Sequence, residues 1–398
     1  MKRFAVRPAG WGWNRTGSGR GKGSHVAGAL LLWLVASPCW AQLGGIDAEF
    51  AGAGARPLAM GGAFLGLGDD ATAAEFNPAG LQILRRPEIA WQGTYTLDQR
   101  DEFRPNSSLD LNRAVVEEDH NEWLTPSFLS YVHPGQKVTW ALSQLTTIDF
   151  DHDYSDLGSS RFNSFSTEAT NNAFGLTFAT DLKPRLHVGV TLRMNRFHYE
   201  FTEFDSGPIK GNGSALFTTE FTDWSPSFNL GVLWRATKKW SFGAVYKSRQ
   251  EVSNGVFTTH LPQTFGVGTA YHPNDRVRVL ADVDHITWSD FDSNPSDPFV
   301  REDVTRYHLG GEYLFKLEEE RAWFVRGGLM REDSNALYYN GKEEFPSSVL
   351  LAAFPQQPER NHVSFGLGLA TEKYQIDFAV DHVLDAGTIF ILSMIHYF

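Results

Sequence analysis

The sequence has almost no cysteine: its 398 residues include one, Cys39. Beyond the first forty residues it also lacks any run near the ~18 apolar residues that a membrane-spanning helix needs. A mean hydropathy of −0.30 is too polar for a bundle of membrane helices. No G-x-S-x-G elbow, HExxH motif or Cys/His cluster is present. We therefore expect no enzyme activity and no catalytic residue, and neither a bound metal nor a cofactor.

The N-terminal segment carries the features of an export signal. Six basic residues and no acidic ones occur in residues 1–25, and the apolar run Val26 to Ala36 and the small-residue segment SPCWAQ follow. This order is typical of a secretory signal peptide, and we predict cleavage after Ala41. The mature chain would then have no cysteine, and 29 Lys and Arg would face 47 Asp and Glu. Such an acidic chain is not expected to bind nucleic acid.

Aromatic residues and glycine are abundant, and after Arg86 they follow an alternating pattern. Aromatics make up 14% of the chain, and there are 37 glycines. Phe174, Leu176 and Phe178, for example, alternate with small or polar residues, which is the period of a β-strand. We predict fourteen strands, at about 88–97, 123–133, 137–146, 169–180, 184–199, 224–235, 239–250, 262–272, 276–288, 304–316, 321–331, 361–370, 373–383 and 388–398.

The connections between these strands are alternately short and long. The short ones are turn-like, such as HPGQK at 133–137 and HPND at 272–275. Short turns at one end and long loops at the other are typical of outer-membrane barrels, with both chain ends on the periplasmic side. A soluble β-sandwich or propeller also alternates, but its strands average ~5–6 residues. The predicted long polar loops are 98–122, 147–168, 200–223, 251–261, 289–303 and 332–360.

The predicted fold is all-β: a 14-stranded antiparallel transmembrane β-barrel with an N-terminal hatch, or plug, inside the lumen. Residues 1–41 form the signal peptide, 42–86 the plug and 87–398 the barrel. The barrel would lie in the outer membrane, in contact with lipid and lipopolysaccharide, and we expect it to be a monomer. The terminal aromatic Phe398, on an amphipathic last strand, is expected to be read by the barrel-assembly machinery.

The stretch 55–81 (ARPLAMGGAFLGLGDDATAAEFNPAGL) is small, apolar and rich in Gly and Ala. Its position between an export signal and the strands indicates a plug, with Gly61, Gly62, Gly66 and Gly68 providing backbone freedom. Small residues on the inward face of the wall would leave room for such a plug. The wall residues predicted to point inward are Gly231, Gly266, Gly268, Ala270, Gly327, Gly366 and Gly368.

Several charged residues also have the inward parity. They are Arg193, Arg276, Arg278, Asp282, Asp284, Arg326, Asp377 and Asp381. One interpretation is that they form ion pairs that brace wall and plug. The other is that Arg193 or Arg326 contacts an anionic head group in the lumen. The acidic segments 117–120 and 149–153 could hold calcium, although solvated loop acids are the favoured interpretation.

Several stretches resemble the FadL-type outer-membrane transporters of long-chain fatty acids and aromatic hydrocarbons. The first is GDDATAAEFNPAGL at 68–81, in which Asn77-Pro78-Ala79 is similar to the hatch motif of that family. TPSFLSYVHP at 125–134 and the long stretches 224–252 and 261–291 continue the resemblance in the same order. YHLGGEYLF at 307–315 and the final hairpin complete it, so most of the mature chain is covered.

This resemblance implies passive uptake of hydrophobic small molecules through a plugged barrel, with a movable hatch and a sideways exit through the wall. It places the gate at the hatch residues Asn77, Pro78, Ala79, Gly61, Gly62, Asp69 and Asp70. Two features depart from the fatty-acid members: the opening GAR-x-x-AMGGA is closer to PorV-like relatives, and residues 137–146 lack the Gly or Pro of a kinked third strand. A PorV-like role in the secretion or assembly of other proteins is therefore the alternative.

Overall fold

A computed structural model describes residues 52–98, 115–118, 125–157, 162–205, 215–255, 258–291, 299–334, 338–339, 358–384 and 387–398. All of them belong to one compact unit of the chain, Gln42–Phe398. The predicted signal peptide and residues 42–51 of the predicted plug lie outside the described residues. Within the described residues, no helix is long and apolar enough to cross a membrane.

Fourteen long strands of the described chain form one antiparallel sheet, which confirms the predicted number. The strands are β1 Glu88–Asp98, β2 Thr125–His133, β3 Val138–Leu157, β4 Phe162–Lys183, β5 Leu186–Asp205, β6 Ala215–Trp234, β7 Trp240–Lys247, β8 Thr264–Asn274, β9 Val277–Ile286, β10 Val304–Leu317, β11 Arg321–Glu332, β12 Arg360–Thr371, β13 Tyr374–Val383 and β14 Gly387–Tyr397.

The sheet closes on itself as a barrel. Each strand pairs with the next along the chain, and β1 pairs with β14 over the whole register from Glu88–Tyr397 to Asp98–Gly387. Closure leaves neither edge of the sheet unpaired, which is the condition for a β-sheet in a membrane. The turns between β2 and β3, β4 and β5, and β8 and β9 are short, and they define the short-turn end of the barrel.

The two faces of the wall differ as the alternation predicted. Outward side chains are apolar and exposed, as for Phe365 at 50% and Val267 at 61%. Inward neighbours such as Ala173 and Ala179 are buried. The prediction for Gly327 was wrong, because this residue faces outward. The period of two makes the inward positions of β11 those of Arg326 and Gly328.

Two of the predicted long loops are largely strand. β3 continues to Leu157 and β4 begins at Phe162, so most of 147–168 is a paired hairpin. β5 and β6 extend in the same way through most of 200–223. Antiparallel strands that project beyond the apolar band can be polar on both faces, so the alternation is lost although the hydrogen-bond ladder continues. The segment 251–261 also forms a small hairpin, of Gln250–Ser253 with Thr258–Leu261.

The wall has one irregular seam, between β2 and β3. β2 pairs with β3 only from Phe128–Leu145 to His133–Trp140, whereas β4 follows β3 over nearly its full length. Within the described residues, 146–152 of β3 have no register partner on the β2 side. The ladder stops two residues before Pro126, which has no N–H to donate. The register between β1 and β2 also shifts nearby, between Gln92 and Gly93.

The described part of the plug, residues 52–86, contains three short helices and lies inside the ring. They are α1 Ala55–Leu58, α2 Ala73–Phe76 and a 3₁₀ helix at Pro78–Ile83. The plug and the inner wall share apolar clusters, one of which joins Met60, Phe64 and Leu67 to Ala270 and Leu280. A second 3₁₀ helix, Trp288–Asp290, follows β9, and three short strand segments lie in the loops: Val115–Glu118, Phe299–Val300 and Tyr338–Tyr339.

Candidate functional site

Asn77 lies at the centre of the plug and is fully buried. Its side-chain Nδ2 donates to Leu65 O (2.9 Å) in the plug and to Val232 O (3.0 Å) in β6. Its Oδ1 accepts from Ala79 N (3.2 Å), so the side chain also caps the 3₁₀ helix that begins at Pro78. Proline suits the first helical position because its missing N–H is not needed there. The Asn-Pro-Ala sequence thus joins two parts of the plug to the wall.

Wall glycines let the plug lie directly against the barrel. On each of seven strands from β5 to β12, a Cβ added at an inward glycine would overlap plug atoms. The close approach therefore depends on the missing side chain. The predicted inward positions of Gly231, Gly266, Gly268 and Gly366 are confirmed. The seven contact positions are Gly189, Gly231, Gly243, Gly266, Gly310, Gly328 and Gly366.

The plug has glycines of its own at turns that other residues adopt only with strain. Gly61, Gly62 and Gly68 have φ angles of 64°, 78° and 46°. Gly66 instead lies against the backbone of Thr269 and Ala270, so its role is close approach. At all four positions glycine therefore serves a fixed conformation or contact of the plug.

Polar wall side chains hold the plug backbone over residues 61–65. The N–H groups of Phe64 and Leu65 donate to Asp282 Oδ2 at 2.6 and 2.7 Å. The N–H of Gly61 donates to Ser364 Oγ (2.9 Å), and Gly61 O lies 2.6 Å from His308 Nδ1. The plug is therefore attached to three wall strands, β9, β10 and β12, in this segment alone.

The beginning of the described plug is attached beside the seam. The N–H of Gly54 donates to Gln92 Oε1 on β1, and Gln92 Nε2 donates to Ser127 Oγ on β2 at 2.9 Å. The N–H of Ala55 donates to Ser393 Oγ on β14 at 3.2 Å. Gln92 thus connects the plug to the residue that follows Pro126 in β2.

A buried ion-pair network lies between the plug and strands β9 to β13. Arg56 of the plug contacts Asp69 (2.6 Å) and Asp70 (2.9 Å) within the plug, and Glu312 (2.9 Å) in β10. Arg326 donates to Glu312 and to Asp377, both at 2.7 Å, and its side chain is 1% exposed. Arg278 also pairs with Glu312. Arg326 thus lies in the bracing network proposed as the first interpretation.

The two gate carboxyls, Asp69 and Asp70, differ in their environment. Burial alone would raise the pKa of Asp69, but the charges of Arg56 and Arg278 outweigh it and hold this pKa below its ordinary value. Burial raises the pKa of Asp70, which has Arg56 as its cationic partner and accepts a hydrogen bond from the N–H of Thr72. Asp69 is therefore the carboxyl whose ionised form the network favours most.

Arg193, the other candidate head-group residue, pairs with a plug carboxylate. Glu75 of α2 contacts Arg193 of β5 through one oxygen, and Lys247 Nζ of β7 through the other at 2.7 Å. Arg306 of β10 and its partner Asp284 lie on the same side of the plug, and Lys247 is within electrostatic range of both. Three wall cations therefore border the plug where the lumen continues toward the long-loop end.

Beyond these cations, inward positions become apolar. On β5 the side chains of Phe197, Tyr199 and Phe201 are at most 2% exposed, and Phe221 of β6 packs against the first two. Buried apolar residues also follow the charged positions on β9 and β10, and the 3₁₀ helix after β9 adds Trp288. We call this the apolar chamber: Phe197, Tyr199, Phe201, Phe221, Ile286, Trp288 and Val304.

Sequence reasoning missed several of these residues. Arg56, Glu75, Lys247, His308 and Glu312 were not singled out, although the last two share the parity of an inward glycine on β10. The pairs Asp284–His308 and Asp381–His362, both at 2.7 Å, join neighbouring strands. Sequence neighbours could not reveal them, because the partners lie about twenty residues apart.

Among the described side chains, no three His, Cys, Asp or Glu residues are grouped so as to hold a metal ion. The acidic segments 117–120 and 149–153 lie largely outside the described side chains. The His308–Asp284 pair contacts the backbone of Gly61 and so helps to hold the plug.

Comparison with known proteins gives one family match and several similar structures. A family model described as "Outer membrane protein transport protein (OMPP1/FadL/TodX)" matches residues 34–253. No curated protein sequence matches the chain significantly. Among solved structures, the Ralstonia pickettii toluene transporter TbuX is similar at a TM-score of 0.64 and 14% identity, over 88% of this chain and 99% of that one.

Two further structures are similar to the same extent. A Pseudomonas aeruginosa FadL homologue has a TM-score of 0.62 and 13% identity, over 86% of this chain and 97% of that one. The P. putida toluene transporter TodX has a TM-score of 0.61 and 14% identity, over 88% and 99%. At such low identity these likenesses establish the fold, a closed fourteen-stranded barrel.

Proposed function

This chain belongs to the OMPP1/FadL/TodX family of outer membrane transport proteins, and on that premise we propose that it passes hydrophobic compounds passively across the outer membrane. Long-chain fatty acids and hydrocarbons are the proposed solutes. The observation that carries the proposal is the apolar chamber on the long-loop side of the plug, which includes the buried rings of Phe197 and Tyr199. An apolar lumen offers such solutes a path past the polar outer leaflet, and apolar surface is favoured in it over water.

The plug is proposed to act as the gate. Its residues Asn77, Pro78, Ala79, Gly61, Gly62, Asp69 and Asp70 are proposed gate residues, since they make or border the contacts between the plug and the wall. The closeness of those contacts supports a plug that moves by small local shifts. A plug tightly packed against seven strands would lose many contacts if it left the barrel as a whole.

The seam between β2 and β3 is the proposed place of a sideways exit. There the ladder is incomplete, so a gap can widen without the loss of many hydrogen bonds. Gln92 supports a coupling between plug and exit, because it bonds to Gly54 in the plug and to Ser127 in β2. The proline beside the seam belongs to β2, which accounts for a third strand that has no Gly or Pro.

Two partner assignments belong to the same proposal. The outward apolar band would contact outer-membrane lipid and lipopolysaccharide, and Phe398 would be recognised by the barrel-assembly machinery. Phe398 is 62% exposed and its N–H donates to Pro87 O at 3.1 Å, so the last residue is tied to the start of β1. We propose that the protein acts as a monomer, because the sheet is complete within one chain.

Identification of the material that copurifies with the protein tests the function. Mass spectrometry of protein extracted from outer membranes in a mild detergent should detect bound fatty acids or hydrocarbons. A chamber-filling variant, Val304→Trp, should carry less of them, because Val304 is a buried residue of the apolar chamber. A bound secreted protein in place of any apolar compound would favour the PorV-like role and contradict uptake.

A further inference from the structure

Resting on the proposed function, the inference concerns the wall cations at the floor of the apolar chamber. Arg193, Lys247 and Arg306 each lie on a wall strand just past the last residues that touch the plug. On β5 the order from the plug outward is Thr191, which bonds to the plug at Ala74 O, then Arg193 and then the chamber residues. Cationic groups therefore border an apolar space, which is the arrangement that suits an amphiphilic anion.

Glu75 differs from the wall acids near it. Asp284, the partner of Arg306, is part of the wall, so that pair joins two wall strands. Glu75 belongs to the plug helix α2 and lies two residues before Asn77, but both of its cationic partners belong to the wall. Exchange of this carboxylate for another would keep the cations paired and would break only contacts of the plug.

Accessibility separates this pair from the other plug–wall ion pairs. The side chains of Arg56, Glu312 and Arg326 are at most 6% exposed. The Lys247 side chain is 28% exposed, and that of Glu75 is 9% exposed. A ligand that enters the chamber can therefore reach Lys247 without prior movement of the plug, whereas the network around Arg326 is closed to it.

We propose that Glu75 is an internal competitor for a ligand carboxylate. In the ligand-free protein it occupies the place on Arg193 and Lys247 where the head group of an amphiphilic monocarboxylate binds, while the alkyl tail lies along Phe197 and Tyr199. Arginine and lysine form strong, charge-assisted hydrogen bonds with carboxylates, so the incoming head group replaces what Glu75 loses. Once displaced, Glu75 no longer ties α2 and the adjoining Asn77 segment to β5 and β7.

Competition of this kind has a measurable sign. Because the ligand must displace Glu75, its apparent affinity is reduced by the fraction of time that Glu75 occupies the site. Neutralisation of Glu75 should therefore tighten the binding of a carboxylate. It should leave the binding of an uncharged molecule with the same tail unchanged, since that molecule does not use the two cations.

The test is equilibrium dialysis of radiolabelled laurate and 1-dodecanol against the full mature protein in phosphatidylcholine nanodiscs, with protein-free nanodiscs as the blank. We expect Glu75→Gln to tighten laurate binding about tenfold, a usual size for coupling between two ligands. Lys247→Met should weaken laurate binding by about the same factor, as for loss of a hydrogen bond to a charged group. Dodecanol binding should not change in either variant.

The control is Glu318→Gln, which neutralises the acid of another Lys–Glu pair, Lys316–Glu318 (2.7 Å), between β10 and β11 at the short-turn end. It should leave the binding of both probes unchanged. Heat-dependent migration in gels verifies that each variant is folded, and Lys247→Met still decides the question if Glu75→Gln does not fold.

Three results would overturn the proposal. Unchanged laurate affinity in both variants would show that the head group does not use this site. Equal tightening of laurate and dodecanol in Glu75→Gln would show that the variant only loosens the plug. If the wild type binds dodecanol and laurate equally well and both variants behave alike, uptake of hydrophobic compounds stands but the carboxylate exchange fails. Absence of saturable binding of either probe would overturn the proposed function as well.

Discussion

A missing side chain is what brings plug and wall together at the residue scale. Gly328 shows this most simply, since a Cβ added there would overlap the Gly61 backbone. Its neighbour Gly327 faces outward, where an added Cβ meets nothing closer than Ser364 O at 3.9 Å. Two adjacent glycines of one strand therefore have different reasons to be glycine, and they form a matched pair.

Gly328→Ala should destabilise the protein by about 1–3 kcal/mol, the usual cost of overpacking a filled interior. The plug segment around Gly61 must move to make room for the methyl group. The measurement is the free energy of unfolding of refolded protein in lipid vesicles, and Gly327→Ala is the control with an expected change near zero. Equal losses in the two variants would mean that the plug does not lie against this strand.

Arg326 allows the two interpretations of the inward charges to be separated. Arg326→Gln should cost about 3–5 kcal/mol of unfolding free energy, because it removes one partner of buried Glu312 and Asp377. The control on the same strand is Arg331→Gln, whose exposed pair with Glu359 should contribute less than about 1 kcal/mol. A stable Arg326→Gln protein that has lost uptake of anionic solutes would favour the head-group interpretation instead.

At the scale of elements, the strands differ in length and in how completely they pair. β3 to β6 each have 20 or more residues, whereas β2 has nine. The short strand leaves the upper part of β3 without a described partner on that side, close to Pro126. A second proline, Pro226 in β6, lies opposite Met194 in an uninterrupted ladder. Proline in a strand therefore accompanies a seam only at β2.

Pro126→Val should slow uptake severalfold without a loss of stability. Valine restores an N–H donor and favours strand structure, so the ladder between β2 and β3 can extend and close the seam. The measurement is the uptake rate of radiolabelled laurate by cells that express each variant at equal surface levels. Pro226→Val is the control and should not change the rate. Unaltered uptake by Pro126→Val would place the exit elsewhere in the wall.

For the whole molecule, the plug and the closed ring together determine whether the barrel conducts ions. Eight adjacent strands, β5 to β12, contribute residues that touch the plug, and β1 and β14 hold its first described residues. The lumen at this level is therefore occupied by protein. A water-filled channel would require the plug to be displaced.

Deletion of residues 42–86 should raise the conductance of the protein in planar bilayers well above that of the intact form. Fourteen strands enclose more space than their own side chains fill, so the space left by the plug should admit water. A folded deletion variant with unchanged conductance would contradict the role of the plug as a gate. Heat-dependent gel migration checks that the variant forms a barrel.

Much of the barrel was predictable, because alternation along a strand reports directly on which face meets lipid. The fourteen strands and the outward side chains of β4, β8 and β12 follow from that period. Prediction failed where both faces are polar, as in the extended hairpins around 147–168 and 200–223. It also failed at Gly327, since glycine has no side chain to reveal the parity of its position.

The chain by itself determined the compartment signal, the number of strands, the place of the plug and the family, because these depend on local period, composition and order along the sequence. Only the tertiary structure decided the pairs that hold plug to wall, such as Glu75 with Lys247 and Arg56 with Glu312. Those partners lie roughly 170 and 250 residues apart, and their meeting depends on the closure of the barrel around the plug. No local pattern encodes that closure, so the site emerged only from the folded ring.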